Sequence, residues 1–363
     1  MNFNFPLLKP IRIILFPFSL IYFAAIWLRN KLYDQKLLPT QSFGLPVIGV
    51  GNIAVGGTGK SPMVEFLIRE LGEKYRLATL SRGYKRKTSG YVLADDQTTA
   101  LDIGDEPMQF HLKFPGLAVA VGEERIAAVP QLLHDRPNTQ AIILDDAFQH
   151  RAIAAGLNIL LTDYNNLYSR DWYLPTGDLR DEKSSVKRAD MIIVTKCPAE
   201  LSLVEANAIK EELQPLPGQA IFFANIQYGA LYHILHQTTY AITADVEVLL
   251  VTGIANPRPI KKILAEQTRS YEQMVYSDHH IFSIDDLNDI SKKFAQLTAK
   301  QKIILTTEKD AVRLVKFNKE LQELPVFVLP IEMQFLFGAA DQFSHLIGTF
   351  IQQFSTIAKS TDE

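Results

Sequence analysis

The chain has 363 residues, 47% hydrophobic and 21% charged, enough for two domains with separate cores. Its formal net charge of -3 argues against the strongly basic surface of a nucleic-acid-coating protein. Cys197 is the single cysteine, which excludes an intrachain disulfide and a cysteine-built zinc cage and fits a reducing compartment.

The first forty residues carry Lys9, Arg12, Arg29, Lys31 and Lys36 against one acid, Asp34. Between Arg12 and Arg29 runs "IILFPFSLIYFAAIWL", sixteen residues without a charge. As a helix it is about 24 Å long, shorter than the roughly 30 Å hydrocarbon core of a bilayer, and Pro17 is expected to kink it. No small-x-small cleavage site follows, as a signal peptide requires. A buried core helix fits the length. Flanking bases with Tyr22, Phe23 and Trp27 at headgroup level favour an interfacial or half-inserted anchor. An anchor of that kind puts the nucleotide machinery in the cytoplasm.

From Pro46 the pattern alternates short apolar runs with amphipathic stretches, which reads as βα units building a mostly parallel sheet. "PVIGVGNI", "LATLSRGY", "AVAVG", "AIILDDA", "NILLTDY" and "MIIVTK" are strand candidates. Met63–Leu71, "GEERIAAVPQLLHD" and "LVEANAIKEEL" are helices. Near Ala220 the texture turns β-rich and partly antiparallel, and a second α/β set begins at "VLLVTGIANPRPIKKIL", with "KIILTTEKD" and "LPVFVLP" as further strands. A helix over roughly Asp341 to Lys359 closes the chain. The expected organisation is an N-terminal membrane-associated helix (1–35), a P-loop domain (36–220), a β-strand linker (221–245), a smaller α/β domain (246–340) and a C-terminal helix and tail (341–363).

"AVGGTGKS" nearly matches the phosphate-binding pattern G-x-x-x-x-G-K-[ST], with Ala54 in place of the first glycine. That matters if the position needs a positive φ. Ala54, Val55, Gly56, Gly57, Thr58, Gly59, Lys60 and Ser61 form the expected nucleotide loop. Backbone N–H groups of Gly56 to Gly59 would wrap the β-phosphate, aided by the helix N-terminus. Lys60 would reach the β- and γ-phosphates, and Ser61 would ligate Mg²⁺. Pro62 is tolerated in a first helical turn. Asp145 and Asp146, ending a buried strand in "AIILDDAFQH", are the expected metal carboxylates; a helix cap or turn is the alternative reading. Guanine recognition by [NT]-K-x-D fails, because "VTKCPAE" puts Pro198 at the aspartate. Membrane-cycling positioning ATPases carry a lysine before the paired glycines, where this chain has Val55.

A phosphotransferase also needs a group to take the acceptor's proton and cations for an anionic acceptor. "DIGDEPMQF" offers Asp102, Asp105 and Glu106; "SDHHIF" offers Asp278, His279 and His280. The sequence does not say that these segments meet. "SRGYKRKTSG" and Arg125 supply cations, and a solvated basic loop fits the same composition.

Together these motifs resemble the tetraacyldisaccharide 4′-kinases, the lipid A 4′-kinases of Gram-negative bacteria. The likeness runs from "GNIAVGGTGKSP" through "SRGYKRKTSG", "GDEP", "DDAFQHR", "YLPTGDLR", "TGIANP" and "DHH" to "TTEKDAV". The family's D-[DE]-G is broken by Ala147, a change expected to shift a turn rather than the chemistry. The resemblance implies transfer of the ATP γ-phosphoryl group to the 4′-hydroxyl of a lipid A disaccharide 1-phosphate. It implies a P-loop domain with a membrane-associated helix and a smaller α/β domain, joined by strands, with ATP and Mg²⁺ as cofactors. It makes Asp105 and His279 catalytic, Lys60 and Ser61 phosphate and metal ligands, and Asp145 and Asp146 the Mg²⁺-associated pair. Arg82, Tyr84 and Arg125 match positions suited to the acceptor. The expected partners are the acylated disaccharide and the cytoplasmic face of the inner membrane, with no nucleic acid and no obligate protein partner. The alternative is a membrane-recruited P-loop ATPase switch without an acceptor; a nucleotide-binding scaffold would have dispensable carboxylates.

Overall fold

A computed structural model describes residues 9–236 and 238–361. Residues 1–8 of the expected N-terminal helix, Gln237 of the expected linker and residues 362–363 of the tail lie outside the described residues. Helices α1 (Lys9–Ile14) and α2 (Phe16–Asp34) precede β1 (Val47–Asn52) and α3 (Lys60–Gly72). Then come β2 (Leu77–Ser81), β3 (Val92–Leu93), α4 (Ala100–Ile103), α5 (Asp105–Lys113), β4 (Ala118–Val121) and α6 (Arg125–Asp135). Next are β5 (Ala141–Asp145), β6 (Leu157–Asp163), β7 (Met191–Thr195), α7 (Leu203–Leu213) and β8 (Ala220–Tyr228). Strands β9 (Leu231–His233), β10 (Thr239–Tyr240) and β11 (Glu247–Thr252) lead to α8 (Arg258–Gln267), β12 (Ser270–Val275) and α9 (Ile284–Ala295). The chain ends with β13 (Lys302–Thr307), α10 (Glu308–Leu314), α11 (Asn318–Leu321), β14 (Val326–Leu329), β15 (Ile331–Phe335) and α12 (Ala340–Thr361).

Two sheets result. The nine-stranded sheet has the order β15-β8-β7-β6-β1-β5-β2-β4-β3. It is parallel except for its two edge strands, β15 on β8 and β3 on β4. The six-stranded sheet has the order β10-β9-β14-β13-β11-β12, parallel from β14 to β12. The inner parallel strands are buried along their whole length, as β1, β2, β5 and β7 show. Covered on both faces, they read as unbroken apolar runs.

The chain crosses between the sheets twice, side by side. It leaves the first sheet after Tyr228 and returns before Ile331, and at the crossing Gly229 N–H donates to the Pro330 carbonyl at 3.0 Å. Part of the expected linker is therefore the β8 strand of the first sheet. Ile331–Phe335, expected in the smaller domain, pairs with β8 in the first sheet. Phe343, Ile347 and Ile351 of α12 pack into the same core as Ile48, Val50 and Leu67.

Helix α2 packs with its polar side inward. Ser19 and Asn30 are buried, and Asn30 Nδ2 donates to Asp181 and Glu182, both at 2.8 Å. Arg12 of α1 pairs with Asp178 at 2.8 Å. Phe18, Leu20, Ile21, Trp27 and Leu28 stand exposed. Among the described residues no helix is long and apolar enough to cross a membrane.

Candidate active site

The glycine loop leaves the C-terminal end of β1, the central strand. Asn52, fully buried, donates from Nδ2 to Thr58 Oγ1 at 2.8 Å, and Thr195 Oγ1 at the end of β7 donates to the Thr58 carbonyl at 2.8 Å. Val55 N–H donates to the Asp178 carbonyl at 2.8 Å, and Ala54 bridges to Leu179. The left-handed residues of the loop are Gly56 (φ 104°) and Gly59 (φ 84°). Ala54 has no such backbone, so the absent first glycine costs nothing here. Lys60 and Ser61 open α3, whose unpaired N–H groups point at the loop.

Asp145 ends β5, beside β1, and is 2% exposed. Burial, then the charges of Glu106 and Asp146, push its carboxyl well above the usual carboxylate range. Its Oδ1 is buried without a hydrogen-bond partner. The next residue takes the left-handed turn: Asp146 has φ 49°, so Ala147 needs no glycine. Burial raises the Asp146 carboxyl, but the Arg180 hydrogen bonds and the charges of Lys60, Arg180 and Arg125 overcome it and hold the group near 2. Lys60 Nζ lies 3.6 Å from Asp146 Oδ1. Among the described residues no three His, Cys, Asp or Glu could hold a metal by themselves. Asp145 and Asp146 with the Ser61 hydroxyl nevertheless fit a hard dication such as Mg²⁺, which keeps few protein ligands and takes the rest from phosphate and water. The orphaned, buried Oδ1 is the atom such an ion would satisfy.

The expected substrate residues divide. Arg125, 4% exposed, donates to the backbone carbonyls of Asp145 (2.8 Å) and Asp146 (3.3 Å), so it braces the acid pair. Tyr84 is exposed, its ring 5.9 Å from that of His279. Arg82 is exposed and its charge is felt at His150. Burial, then the guanidiniums of Arg125, Arg29 and Arg82, push His150 down to about 4. That concentration of positive charge suits an anionic ligand.

The second half of the site comes from both sheets. Asp105 starts α5, and His279 lies on the loop after β12 with φ 65°. They meet: His279 Nδ1 is 2.8 Å from Asp105 Oδ2. Arg313 of α10 donates from Nε to Asp105 Oδ1 at 2.7 Å and from Nη2 to Oδ2. Burial raises the Asp105 carboxyl, but hydrogen bonds from His279 and Arg313 prevail and bring it to about 2. Lys309 Nζ is 3.2 Å from His279 Nε2. His280 turns away, 3.0 Å from Asp286 in the capping box of α9 and stacked on Tyr276. Asp102 caps α4 through Thr99. Glu106, one residue beyond Asp105, acts electrostatically on Asp145, which ties the two halves together.

Helices α5 and α10 are clamped at both ends. Asp105 meets Arg313 at one; at the other, Lys113 Nζ lies 2.6 Å from Glu65 of α3 and 2.5 Å from Glu308 of α10. Nothing in the sequence assigns chemistry to Arg313, Lys309, Lys113 or Arg180. "TTEKDAV" and "YLPTGDLR" mark the neighbourhoods of Lys309, Arg313 and Arg180 but not that of Lys113; the partners lie up to 208 residues away.

A mostly parallel sheet whose central strand opens into a glycine loop, with an acid pair ending the adjacent strand, defines a P-loop α/β protein of the nucleotide-handling class. The family model described as tetraacyldisaccharide-1-P 4'-kinase matches residues 11–352. The chain belongs to that family. Curated relatives named tetraacyldisaccharide 4'-kinase include one from Bacteroides thetaiotaomicron, 44% identical over 349 residues (92% of each chain). Another, from Flavobacterium johnsoniae, is 45% identical over 327 residues, covering 90% of this chain and 93% of that one. A solved structure, described as the "apo" form of LpxK from Aquifex aeolicus in complex with ATP, is similar with a TM-score of 0.74 at 27% identity. It covers 94% of this chain and 99% of that one.

Proposed function

We propose that the protein transfers the γ-phosphoryl group of ATP to the 4′-hydroxyl of a tetraacylated disaccharide 1-phosphate, working at the cytoplasmic face of a membrane. The observation that carries this is the Asp105–His279 pair, 2.8 Å apart, with Glu106 beside it acting on the acid pair of the nucleotide loop. A nucleotide switch has no work for such a pair. A kinase needs it to receive the acceptor's proton.

In this reading the N–H groups of Gly56 to Gly59 and Lys60 hold the ATP phosphates. Ser61, Asp145 and Asp146 would hold Mg²⁺, which when bound neutralises phosphate charge. Asp105 and His279 orient the acceptor hydroxyl and take its proton. Arg125 keeps the acid-pair backbone in place, and Arg82, Tyr84 and the charge around His150 face the anionic sugar. Helix α2 supports the membrane reading. It spends its polar residues on the protein and leaves Phe18, Leu20, Ile21, Trp27 and Leu28 for an apolar phase.

The deciding experiment measures ADP release by detergent-solubilised protein with ATP and Mg²⁺, with and without tetraacyl disaccharide 1-phosphate, and weighs the lipid. Lipid-dependent release with one phosphate added is expected. Release indifferent to the lipid, with its mass unchanged, would replace the kinase with the ATPase switch.

A further inference from the structure

The motif "TTEKDAV" has no role in the mechanism above, yet α10 carries its lysine, Lys309, to the edge of the site. Other cations there have acids for partners. Arg313 faces Asp105, Arg180 faces Asp146, and Lys60 lies 3.6 Å from Asp146. Among the described residues Lys309 makes no ion pair, and its half-buried ammonium meets only His279 Nε2, 3.2 Å away. A ring nitrogen accepts a hydrogen bond but brings no full negative charge. Asp278 Oδ2, 3.8 Å from the same nitrogen, pairs with the ring rather than with the lysine.

A cation taken partly out of water without a carboxylate costs stability. Such departures mark places that a ligand completes. The anion at hand is the nucleotide. Lys60 opens α3, which packs on the first sheet, and Lys309 is the second residue of α10, which follows β13 of the second sheet. Glu106, next to Asp105, acts on Asp145, so the pair beside Lys309 and the acids beside Lys60 border one space. A γ-phosphoryl group in that space spreads its charge over three oxygens, more than one lysine can face.

Resting on the kinase reading, we propose that Lys309 is a second phosphate lysine, its ammonium holding the γ-phosphoryl group of ATP from the second sheet while Lys60 holds it from the first. In the transfer the acceptor oxygen bonds to the γ-phosphorus, and the bond to the bridging oxygen breaks with its electron pair leaving on ADP. The acceptor's proton goes to the Asp105–His279 pair, as above, and the lysine keeps its own. Lys309 donates to a non-bridging oxygen throughout, so it acts on charge and moves no proton. ATP thereby touches both sheets. ADP, one phosphate shorter, touches only the first.

Nucleotide affinity of the full-length, detergent-solubilised protein, with Mg²⁺ and no lipid, is the first test. Lys309→Met should weaken ATP roughly tenfold or more, the worth of one charge-assisted hydrogen bond, and leave ADP as it was. Lys309→Arg should keep most of the preference for ATP. Tm of either variant should not fall, because no ion pair is broken. A packing role would instead lower Tm and both affinities together. Equal losses for ATP and ADP, or none, overturn the proposal. With tetraacyl disaccharide 1-phosphate present, kcat of Lys309→Met should fall about a hundredfold at an unchanged KM for the lipid. A raised lipid KM with normal kcat would put the lysine on the acceptor's phosphate and overturn the assignment. Absence of phosphorylated lipid from the unsubstituted protein would sink the kinase reading, while the comparison of ATP with ADP still decides whether Lys309 meets the γ-phosphate.

Discussion

Lys113→Met tests the clamp between the nucleotide loop and the catalytic pair. Lys113 is one-fifth exposed, whereas the carboxylates it joins are shut away, at 1% for Glu65 and 4% for Glu308. Each contact has a gross attraction of roughly 6 kcal/mol at an effective dielectric near 20, largely offset by desolvation. Removing the cation leaves two buried carboxylates facing each other, which costs about 3–5 kcal/mol when one partner of a buried pair is lost. At roughly 2 °C per kcal/mol in a chain of this size, Tm should fall by about 6–10 °C.

The sign with pH follows from Glu308. Burial, then Glu65, raises its carboxyl from the usual range to about 7 despite Lys113. A raised carboxyl contributes stability that is present below the unfolded value and lost as pH rises through the folded one. Without Lys113 that loss steepens, so the Tm deficit should be larger near pH 8 than near pH 5. Glu308→Gln added to Lys113→Met should recover part of it. Thermal scans at the two pH values decide. A Tm within about 2 °C of the parent's at both, or a deficit larger in acid, would refute this account.

Lys60→Ala should lower lipid phosphorylation at least about a hundredfold, with an unchanged unfolding transition; near-normal turnover removes Lys60 from the phosphate site. The two histidines should separate. His279→Ala should lose about a hundredfold in kcat, while His280→Ala, which breaks the 3.0 Å contact to Asp286, should lower Tm and keep kcat; equal losses would contradict the division. Leu20→Ser with Ile21→Ser should weaken liposome flotation and leave Tm alone, because both side chains are exposed. Undiminished flotation would take the membrane role away from that face.

Much of the nucleotide half could be read locally. A strand buried on both faces is apolar throughout, and a phosphate loop needs its glycines and lysine in one short stretch. The strand β12 is not legible in the sequence, because "SYEQMV" is an exposed sheet edge without that signature. The strand β15 alternates as a strand should, but nothing local says that it returns to the first sheet rather than the second. "DIGDEP" displays its acids, but those acids alone do not mark the helix that Asp105 begins. The meeting of Asp105 with His279 spans 174 residues, so no window of sequence contains it. Spacing alone leaves the two histidines of "DHH" equal and only the resemblance picks out His279; in the fold His279 faces Arg313 and His280 faces Asp286.

The two side-by-side crossings between the sheets also set an order of assembly on the ribosome. Strand β8 begins at Ala220, but its partner β15 ends at Phe335, and the intervening chain takes about ten seconds to synthesise at roughly 5–20 residues per second. Through that interval the edge of the nascent nucleotide sheet stands open, and the apolar surface later covered by Phe343, Ile347 and Ile351 is bare. An open edge beside bare apolar surface invites pairing with other chains. The nucleotide unit, though encoded first, is therefore completed last.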